Sequence, residues 1–237
     1  MYLSLNIYQT WGRYYCEAGR DVFSVGRQTI FFDFHPTIFK RCTSDNTPLS
    51  RLHIIYCIFQ TSHAAYYVAT QMALAHNGII RGLNSIYLQA THIPSEDLDT
   101  IRDFLTYCQC WCESMHHHHD AEETVFFPSI EQISNVQGIM ERNIAQHRAF
   151  TPGFDLFQEY TRNCLPKDYS GRKITSLIED FAEPLTRHLH DEIETLRGLD
   201  IYDSGRIRQA YQRFEKSLMA TDNVRQSLTF QKLDCHH

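Results

Sequence analysis

The sequence predicts an all-α protein built on an antiparallel, up-down four-helix bundle. From about residue 61 onward, apolar residues recur at spacings of three and four, which is the spacing of one face of a helix. Four long segments of this kind follow one another, and short connections join them. Helices joined in this way pack as antiparallel neighbours around a common core.

Composition and charge narrow the class of protein. The chain has 237 residues, of which 43% are hydrophobic and 21% charged, as expected for one folded domain with or without an appendage. A net charge of −6 supplies no general positive field, so we expect neither nucleic acid nor a membrane as partner. No apolar run approaches the roughly 18 residues of a membrane-spanning helix. A secretory leader pattern is not recognisable at the start, and we expect reduced thiols and a cytoplasmic, intracellular location.

The chain divides into three predicted parts. Residues 1–60 show no sustained periodicity and are predicted to form an N-terminal extension that is irregular or contains short strand-like segments. Residues 61–200 form the predicted bundle. Residues 201–237 are predicted to contain a short amphipathic helix, Arg206 to Met219, followed by a loosely ordered polar tail.

The first two bundle helices are placed by their ends. The first is predicted from Ala64 to Gln89, stopping near Pro94. The second follows Ser95, which can cap it, while the acidic residues after Ser95 favour the positive end of the helix dipole. We predict that it continues to about Phe127, because Pro128 comes next.

The third helix is predicted from Val136 to Tyr160, and Pro152 is expected to kink it or to end it early. The fourth is predicted to follow Ser170 and to run to about Arg197. Gly198 is the expected residue at its C-terminal end.

Two of these helices carry histidine and glutamate on their apolar stripes. His118 and Glu122 continue the buried face of the second helix, and the fourth helix repeats the same spacing with His188 and Glu192. Burial of an ionised glutamate costs several kcal/mol unless a partner compensates its charge. Two such pairs therefore favour a metal as the compensating charge.

The other two helices each add one imidazole, His76 and His147. Taken alone, either would more often be a hydrogen-bonded core histidine, and a structural bundle remains an alternative. Nitrogen and oxygen ligands without thiolate suit iron, manganese or zinc. Six ligands exceed the needs of one tetrahedral zinc ion, whereas two carboxylates can bridge two metal ions.

Four consecutive histidines, residues 116–119, rotate around the second helix, so one member is expected to face the core. We predict His118, because it pairs with Glu122; the competing register pairs His119 with Glu123. In the preferred register His116, His117 and His119 are solvated or lie around the ligands. Glu123 and Asn143 are also predicted to lie around the ligands or to line their pocket.

Four segments together resemble the hemerythrin-like HHE cation-binding family, in particular its fungal members. They are His76-Asn77-Gly78-Ile79-Ile80-Arg81-Gly82-Leu83-Asn84, His118-His119-Asp120-Ala121-Glu122-Glu123 leading to Phe126-Phe127-Pro128, Gln146-His147-Arg148-Ala149-Phe150, and His188-Leu189-His190-Asp191-Glu192-Ile193. The resemblance implies a non-haem centre of two iron ions, with Glu122 and Glu192 as bridges. The other implied ligands are His76, His118, His147 and His188.

The chain departs from the oxygen-carrying hemerythrins at one position, where they have a second histidine four residues before that of the third helix and this chain has Asn143. The resemblance implies a protein that binds or senses dioxygen or a related small ligand. The alternatives are a di-iron enzyme that oxidises a small organic substrate, with Arg81, Asn84 and Tyr87 lining its pocket, and a metal-storage or structural bundle. Ferritin-like proteins differ, since they place glutamate before histidine at a spacing of three.

Overall fold

The structure, a computed structural model, describes residues 20–25, 28–33 and 63–233. For the first two segments and for residues 221–233 it describes the backbone alone. Strands β1 (Arg20–Val25) and β2 (Gln28–Asp33) pair antiparallel, with Arg20 opposite Asp33. The rest of the predicted N-terminal extension lies outside the described residues.

The helical part confirms the predicted all-α bundle. Four long helices pack so that the first lies beside the last and the middle two lie beside each other. The helices are α1 (Ala64–Ala90), α2 (Leu98–Ala121), α3 (Phe127–Ser134), α4 (Glu141–Asn163), α5 (Gly171–Arg197) and α6 (Ser204–Leu233), with a π-helical turn, Glu122–Phe126, between α2 and α3.

Hydrogen bonds between the helices show their antiparallel order. The Tyr169 hydroxyl, just before α5, donates to the carbonyl of Ala90 at the end of α1, at 2.6 Å. The Gln109 amide, in α2, donates to the carbonyl of Thr161 near the end of α4, at 2.7 Å. Further along the same pairs, His76 of α1 contacts the carbonyl of Leu189 in α5, and His116 of α2 faces Gln158 of α4. The contacts advance along one helix while they go back along the other, so each pair is antiparallel.

The last bundle helix has both of its predicted ends, and the first ends at Ala90, one residue after the predicted end. The Ser170 hydroxyl oxygen accepts the Lys173 N–H at 3.3 Å, and Gly198 is the C-terminal cap of α5. These signals could be recognised because a cap acts within a few residues of the chain.

The second helix differs from the prediction at both ends. Asp97 caps it, accepting the Thr100 N–H at 3.1 Å, because Asp97 and not Ser95 directly precedes the first helical residue. The helical path also continues past Pro128, which is the second residue of α3. A missing N–H group is tolerated in the first turn of a helix.

The third helix begins later than predicted and is not ended by its proline. Asn135 and Gly138 have positive φ values of 55° and 76°, so the chain turns before α4 begins. Pro152 lies inside α4, which continues to Asn163. Close packing against α5 compensates the roughly 3 kcal/mol cost of an internal proline. A Cβ atom on Gly153 would lie 3.0 Å from Phe181 Cβ, which shows how near the two helices come.

The C-terminal helix is longer than predicted. It extends from Ser204 to Leu233, so the prediction of a loosely ordered tail directly after Met219 is wrong. Its buried residues Ala210, Tyr211, Phe214 and Leu218 have helical spacing and pack with residues of α1 and the π-helical turn. Tertiary burial therefore supports the first turns of a helix whose residues after Leu218 are mostly polar.

Two apolar clusters form the core and leave a polar layer between them. Along α1, Met72 belongs to one cluster and Ile79 to the other, and His76 lies between them. Along α2, Met115 and Ala121 belong to different clusters in the same way. The predicted ligands therefore lie in a layer enclosed by apolar packing on both sides.

Other sequence predictions concern the thiols and the membrane. Each cysteine within the described residues is a free thiol, namely Cys108, Cys110, Cys112 and Cys164. None of the described helices combines the length and the apolar composition that a membrane span needs.

Two glycines of α1 give a matched test of the packing beside Trp111. The Trp111 indole N–H donates to the carbonyl of Ile79 at 2.9 Å, and a Cβ atom on Gly82 would lie 2.6 Å from the ring. We expect Gly82→Ala to lower the free energy of unfolding by about 1–3 kcal/mol through overpacking. Gly78 has open space at its Cβ position, so Gly78→Ala should raise stability by up to about 1 kcal/mol. Urea unfolding followed by circular dichroism measures both, and equal shifts in the same direction would contradict this packing.

Candidate metal centre

The structure brings all six predicted ligands into one buried layer. They are His76 of α1, His118 of α2, Glu122 at the start of the π-helical turn, His147 of α4, and His188 and Glu192 of α5. None of the six residues is more than 5% exposed. Six titratable residues, five from four helices and one from the π-helical turn, are thus withdrawn from water together.

These residues form two groups of donor atoms that share a carboxylate. In one group, His76, His118 and Glu122 have ligand atoms within 4.8 Å of one another. In the other, the same holds for His119, Glu122, His147 and His188. The Oε2 atom of Glu192 lies 3.3 Å from His76 Nε2 and 3.7 Å from His188 Nε2. Both carboxylates therefore contact both groups.

His76 shows why the layer fits a cation. Its Nδ1 atom donates to the carbonyl of Leu189 at 2.9 Å, because a carbonyl oxygen can only accept. In the neutral ring Nε2 then carries a lone pair, and this atom is buried, has no hydrogen-bond partner and faces Glu192. A nitrogen lone pair facing a carboxylate oxygen requires a positive charge between them, either a proton or a metal ion.

His147 is oriented in the same way by a carboxylate. Its Nδ1 atom donates to Glu123 Oε1 at 2.6 Å. Its Nε2 atom then faces His188 Nε2 at 3.1 Å and Glu122 Oε2 at 3.5 Å. A carboxylate behind an imidazole sets the tautomer and raises the basicity of the nitrogen that faces a metal.

Burial keeps the other imidazoles neutral. It lowers the pKa of His118 to about 4 and holds the pKa values of His119 and His188 well below their usual range. Burial, followed by the charge of Glu192, raises the pKa of Glu122 well above its usual value. A neutral imidazole has a lone pair that can bind a metal ion. A cation would also compensate the negative charge of the buried carboxylates, so this set of ligand atoms suits a metal cation.

Unpartnered atoms support the same interpretation. His118 Nε2 lies 2.8 Å from Glu122 Oε1, but neither atom has a partner in hydrogen-bond geometry. The imidazole nitrogens and carboxylate oxygens of this layer that have no hydrogen-bond partner are His76 Nε2, His118 Nε2, His119 Nε2, His188 Nδ1 and both carboxylate oxygens of Glu122 and of Glu192. Buried polar atoms normally have hydrogen-bond partners. Several unpartnered polar atoms in one place therefore indicate a site for an ion.

One prediction about the histidine run is wrong. His118 and His119 are both buried, at 5% and 8% exposure, whereas one buried member was expected. The ring of His118 contacts His76 and Phe214, and the ring of His119 contacts His147 and His188. Consecutive residues point about 100° apart on a helix. Both are covered here because α2 is packed by α4 on one flank and by α6 on the other.

The residues predicted around the ligands have different environments. Arg81 is exposed and Asn84 is half-buried. The Tyr87 hydroxyl donates to the carboxylate of Glu179 at 2.7 Å, in an exposed contact. Asn143 is completely buried, and both polar atoms of its amide are without partners.

Sequence reasoning missed the aromatic side chains that cover the ligands. The ring of Phe214, on α6, lies 5.9 Å from that of His118, and Phe150 lies 5.1 Å from His119. The helical spacing of apolar residues in α6 indicates a buried face but does not show what that face covers. The π-helical turn that begins at Glu122 has no recognisable sequence signal either.

Comparisons with known proteins agree with the buried cluster. Residues 68–199 match the hemerythrin HHE cation-binding domain. The chain is also 35% identical over 157 residues to the "Dimeric xanthone biosynthesis cluster protein R11" of Cryptosporiopsis sp. (strain 8999). This match covers 66% of the present chain and 59% of that protein, so it spans less than two thirds of the relative's length. No solved structure matches the chain. With the domain match covering more than half of its length, the chain belongs to the hemerythrin HHE cation-binding family.

Proposed function

We propose that the buried layer holds two iron ions and that the protein binds or senses dioxygen or a related small ligand. The observation that carries the proposal is the sharing of carboxylates: Glu122 lies in both donor groups, and Glu192 contacts a histidine of each. Two divalent ions bring four positive charges, of which the two carboxylates neutralise two. The ligands proposed from the sequence are the six residues His76, His118, Glu122, His147, His188 and Glu192.

The donor types favour iron over softer metals. The two donor groups contain imidazole and carboxylate ligands and no thiolate. Such a set suits iron, with manganese or zinc as further candidates. Each proposed ion position contains imidazole nitrogens and the shared carboxylate of Glu122. The carboxylate would partly neutralise the positive charge of the buried ions.

The surroundings favour a small ligand. When bound, two iron ions would supply the ability to exchange electrons reversibly with a ligand such as dioxygen. The chain encloses the donor groups with the rings of Phe214 and Phe150 and with apolar clusters on both sides. These walls exclude bulk water and admit a small, weakly polar molecule more readily than a charged one.

The experiment that tests this proposal is elemental analysis of the chain without an added polyhistidine tag, since residues 116–119 already form a histidine run. We expect about two irons per chain after loading with ferrous iron without oxygen. Reversible, stoichiometric uptake of dioxygen by the loaded protein would support ligand binding. A protein that retains no metal after desalting would contradict the proposal.

A second candidate is an enzyme that oxidises a small organic substrate. It is favoured by the name of the relative, which describes a protein of a dimeric xanthone biosynthesis cluster. Catalytic dioxygen consumption that depends on an added aromatic substrate would support this candidate. Stoichiometric uptake without turnover would support the first one, and tight metal binding without any reaction with dioxygen would favour metal storage or a structural role.

The carboxylate of Glu123 provides a test of the ligand arrangement. We expect Glu123→Ala to weaken metal binding by about 10- to 100-fold, because His147 loses the partner that orients it. Competition with a coloured chelator measures the change. Asp120→Ala is the matched control, since it removes an exposed negative charge from the same stretch of helix. Equal affinities for the two variants would show that Glu123 acts only as a nearby charge.

A further inference from the structure

We infer that His119 is a metal ligand and supplies the third imidazole of one of the two ion positions. This inference rests on the proposed function and adds one residue to the ligand set expected from the sequence. It also makes the two positions unequal. One would have His119, His147 and His188, and the other His76 and His118, with Glu122 common to both.

The first support is the position of the ring. The centroid of the His119 ring lies 4.5 Å from that of His147 and 5.2 Å from that of His188. Its donor nitrogen lies within 4.8 Å of the donor atoms of His147, His188 and Glu122. His119 as a whole is 8% exposed, and its Nε2 atom is buried without a hydrogen-bond partner. A buried nitrogen with this surrounding has the properties of a ligand.

The second support is the helical geometry of α2. Residue 122 lies about 40° around the helix from residue 118 and about 60° from residue 119 in the opposite sense. Glu122 therefore lies between the two histidines and beneath both. One carboxylate can then contact a metal ion held by His118 and a second ion held by His119.

The third support is the number of imidazole ligands that α4, the helix facing α2, can offer. One turn before His147, α4 carries the buried Asn143, which offers an amide instead of an imidazole. Two imidazoles, His147 and His188, then come from α4 and α5, and the remaining one can come from α2. Because His119 points towards α4 and α5 while His118 points towards His76, the neighbouring histidines serve different ion positions.

The asymmetry has a consequence for the small ligand. The position with three imidazoles is closer to a complete ligand set, whereas the position of His76 and His118 has one nitrogen fewer. An added ligand should therefore bind on the side of His76 and His118, where Phe214 lies 5.9 Å from the ring of His118. Enlarging the space there, and not near Phe150, should change the affinity for the small ligand.

The test compares His119→Ala with His116→Ala. His116 belongs to the same run but is half-buried, and its Nε2 atom faces Gln158 Oε1 at 3.1 Å, outside both donor groups. Each protein is loaded with ferrous iron without oxygen and desalted, and its iron and its binding affinities are measured. We expect two irons in the wild type and in His116→Ala. In His119→Ala we expect one of the two affinities to fall at least ten-fold and about one iron to remain.

A measurement on the unmodified protein covers the case in which His119→Ala does not fold. In the wild type loaded with Co²⁺, proton NMR should show hyperfine-shifted imidazole signals from five histidines, His76, His118, His119, His147 and His188. Signals from four histidines would overturn the inference. Two irons with unchanged affinities in His119→Ala would overturn it too, while leaving the proposed function intact. A wild-type protein that binds no metal would overturn the proposed function and the inference together.

Discussion

Glu122→Gln should weaken metal loading at both proposed ion positions, lowering iron from the proposed two per chain to less than one. Glu122 is the residue common to the two donor groups, so its replacement removes a ligand from each. An amide also carries no negative charge, and four positive charges would then face one carboxylate, that of Glu192. Elemental analysis after anaerobic loading measures the loss. Glu159→Gln, at an exposed position of α4, is the matched control and should keep two irons.

The same substitution should have opposite effects on stability in the two metal states. Without metal, burial and the nearby Glu192 raise the pKa of Glu122, so the folded state disfavours the ionised carboxylate. Because the pKa of Glu122 is higher in the folded state, the protonated group contributes stability in full below its unfolded pKa of about 4.5. This contribution is lost as pH rises. At pH 7, Glu122→Gln should therefore unfold at a higher temperature than the metal-free wild type. With metal present it should unfold at a lower temperature.

Thermal unfolding with and without metal, at pH 4 and pH 7, separates these contributions. In the metal-free protein, the increase in melting temperature caused by Glu122→Gln should be small at pH 4 and larger at pH 7. If the substitution shifted the melting temperature equally with and without metal, Glu122 would not be a ligand.

Trp111→Ala should produce the largest loss of stability among single substitutions in the apolar core. The indole is 1% exposed, and its ring lies 5.9 Å from Phe154, 6.1 Å from Phe157 and 6.3 Å from Phe181 between centroids. Replacement leaves a large cavity and removes the hydrogen bond to the Ile79 carbonyl. We expect the free energy of unfolding to fall by about 3–5 kcal/mol.

Urea unfolding of Trp111→Ala and of Leu156→Ala tests this expectation. Leu156 is 54% exposed on α4, and its replacement should cost less than about 0.5 kcal/mol. Similar losses for the two variants would show that the aromatic cluster around Trp111 does not carry the stability assigned to it.

Several helix boundaries could be predicted because their signals are local. Ser170 and Gly198 enclose a helix whose apolar stripe is regular, and the structure agrees at both ends. Pro152 has an equally clear local meaning, yet α4 continues past it. The cost of a proline is local, whereas the compensating packing of α4 against α5 comes from residues distant in sequence. Signals that depend on one element were therefore more reliable than those that compete with tertiary packing.

The candidate site shows the same division. His118, Glu122, His188 and Glu192 could be assigned to buried faces because a period of 3.6 residues determines which side chains share a face. Only the packing of neighbouring helices decides how wide a buried face is. His119 lies about 100° from His118 and would be solvated on a helix with a narrow contact, but here α4 and α5 cover it.

The amino-acid sequence alone was enough to predict the four-helix class, to recognise the family resemblance and to locate the four segments that carry the candidate ligands. The helical class follows from the period of apolar residues along each helix, and the family resemblance follows from four short motifs, each contained in one segment of the chain. The helix packing was needed to show that His119 belongs to one of the donor groups, that Glu123 orients His147 and that Phe214 covers His118. Each of these contacts joins side chains of different helices, and its geometry depends on how those helices pack and rotate against one another.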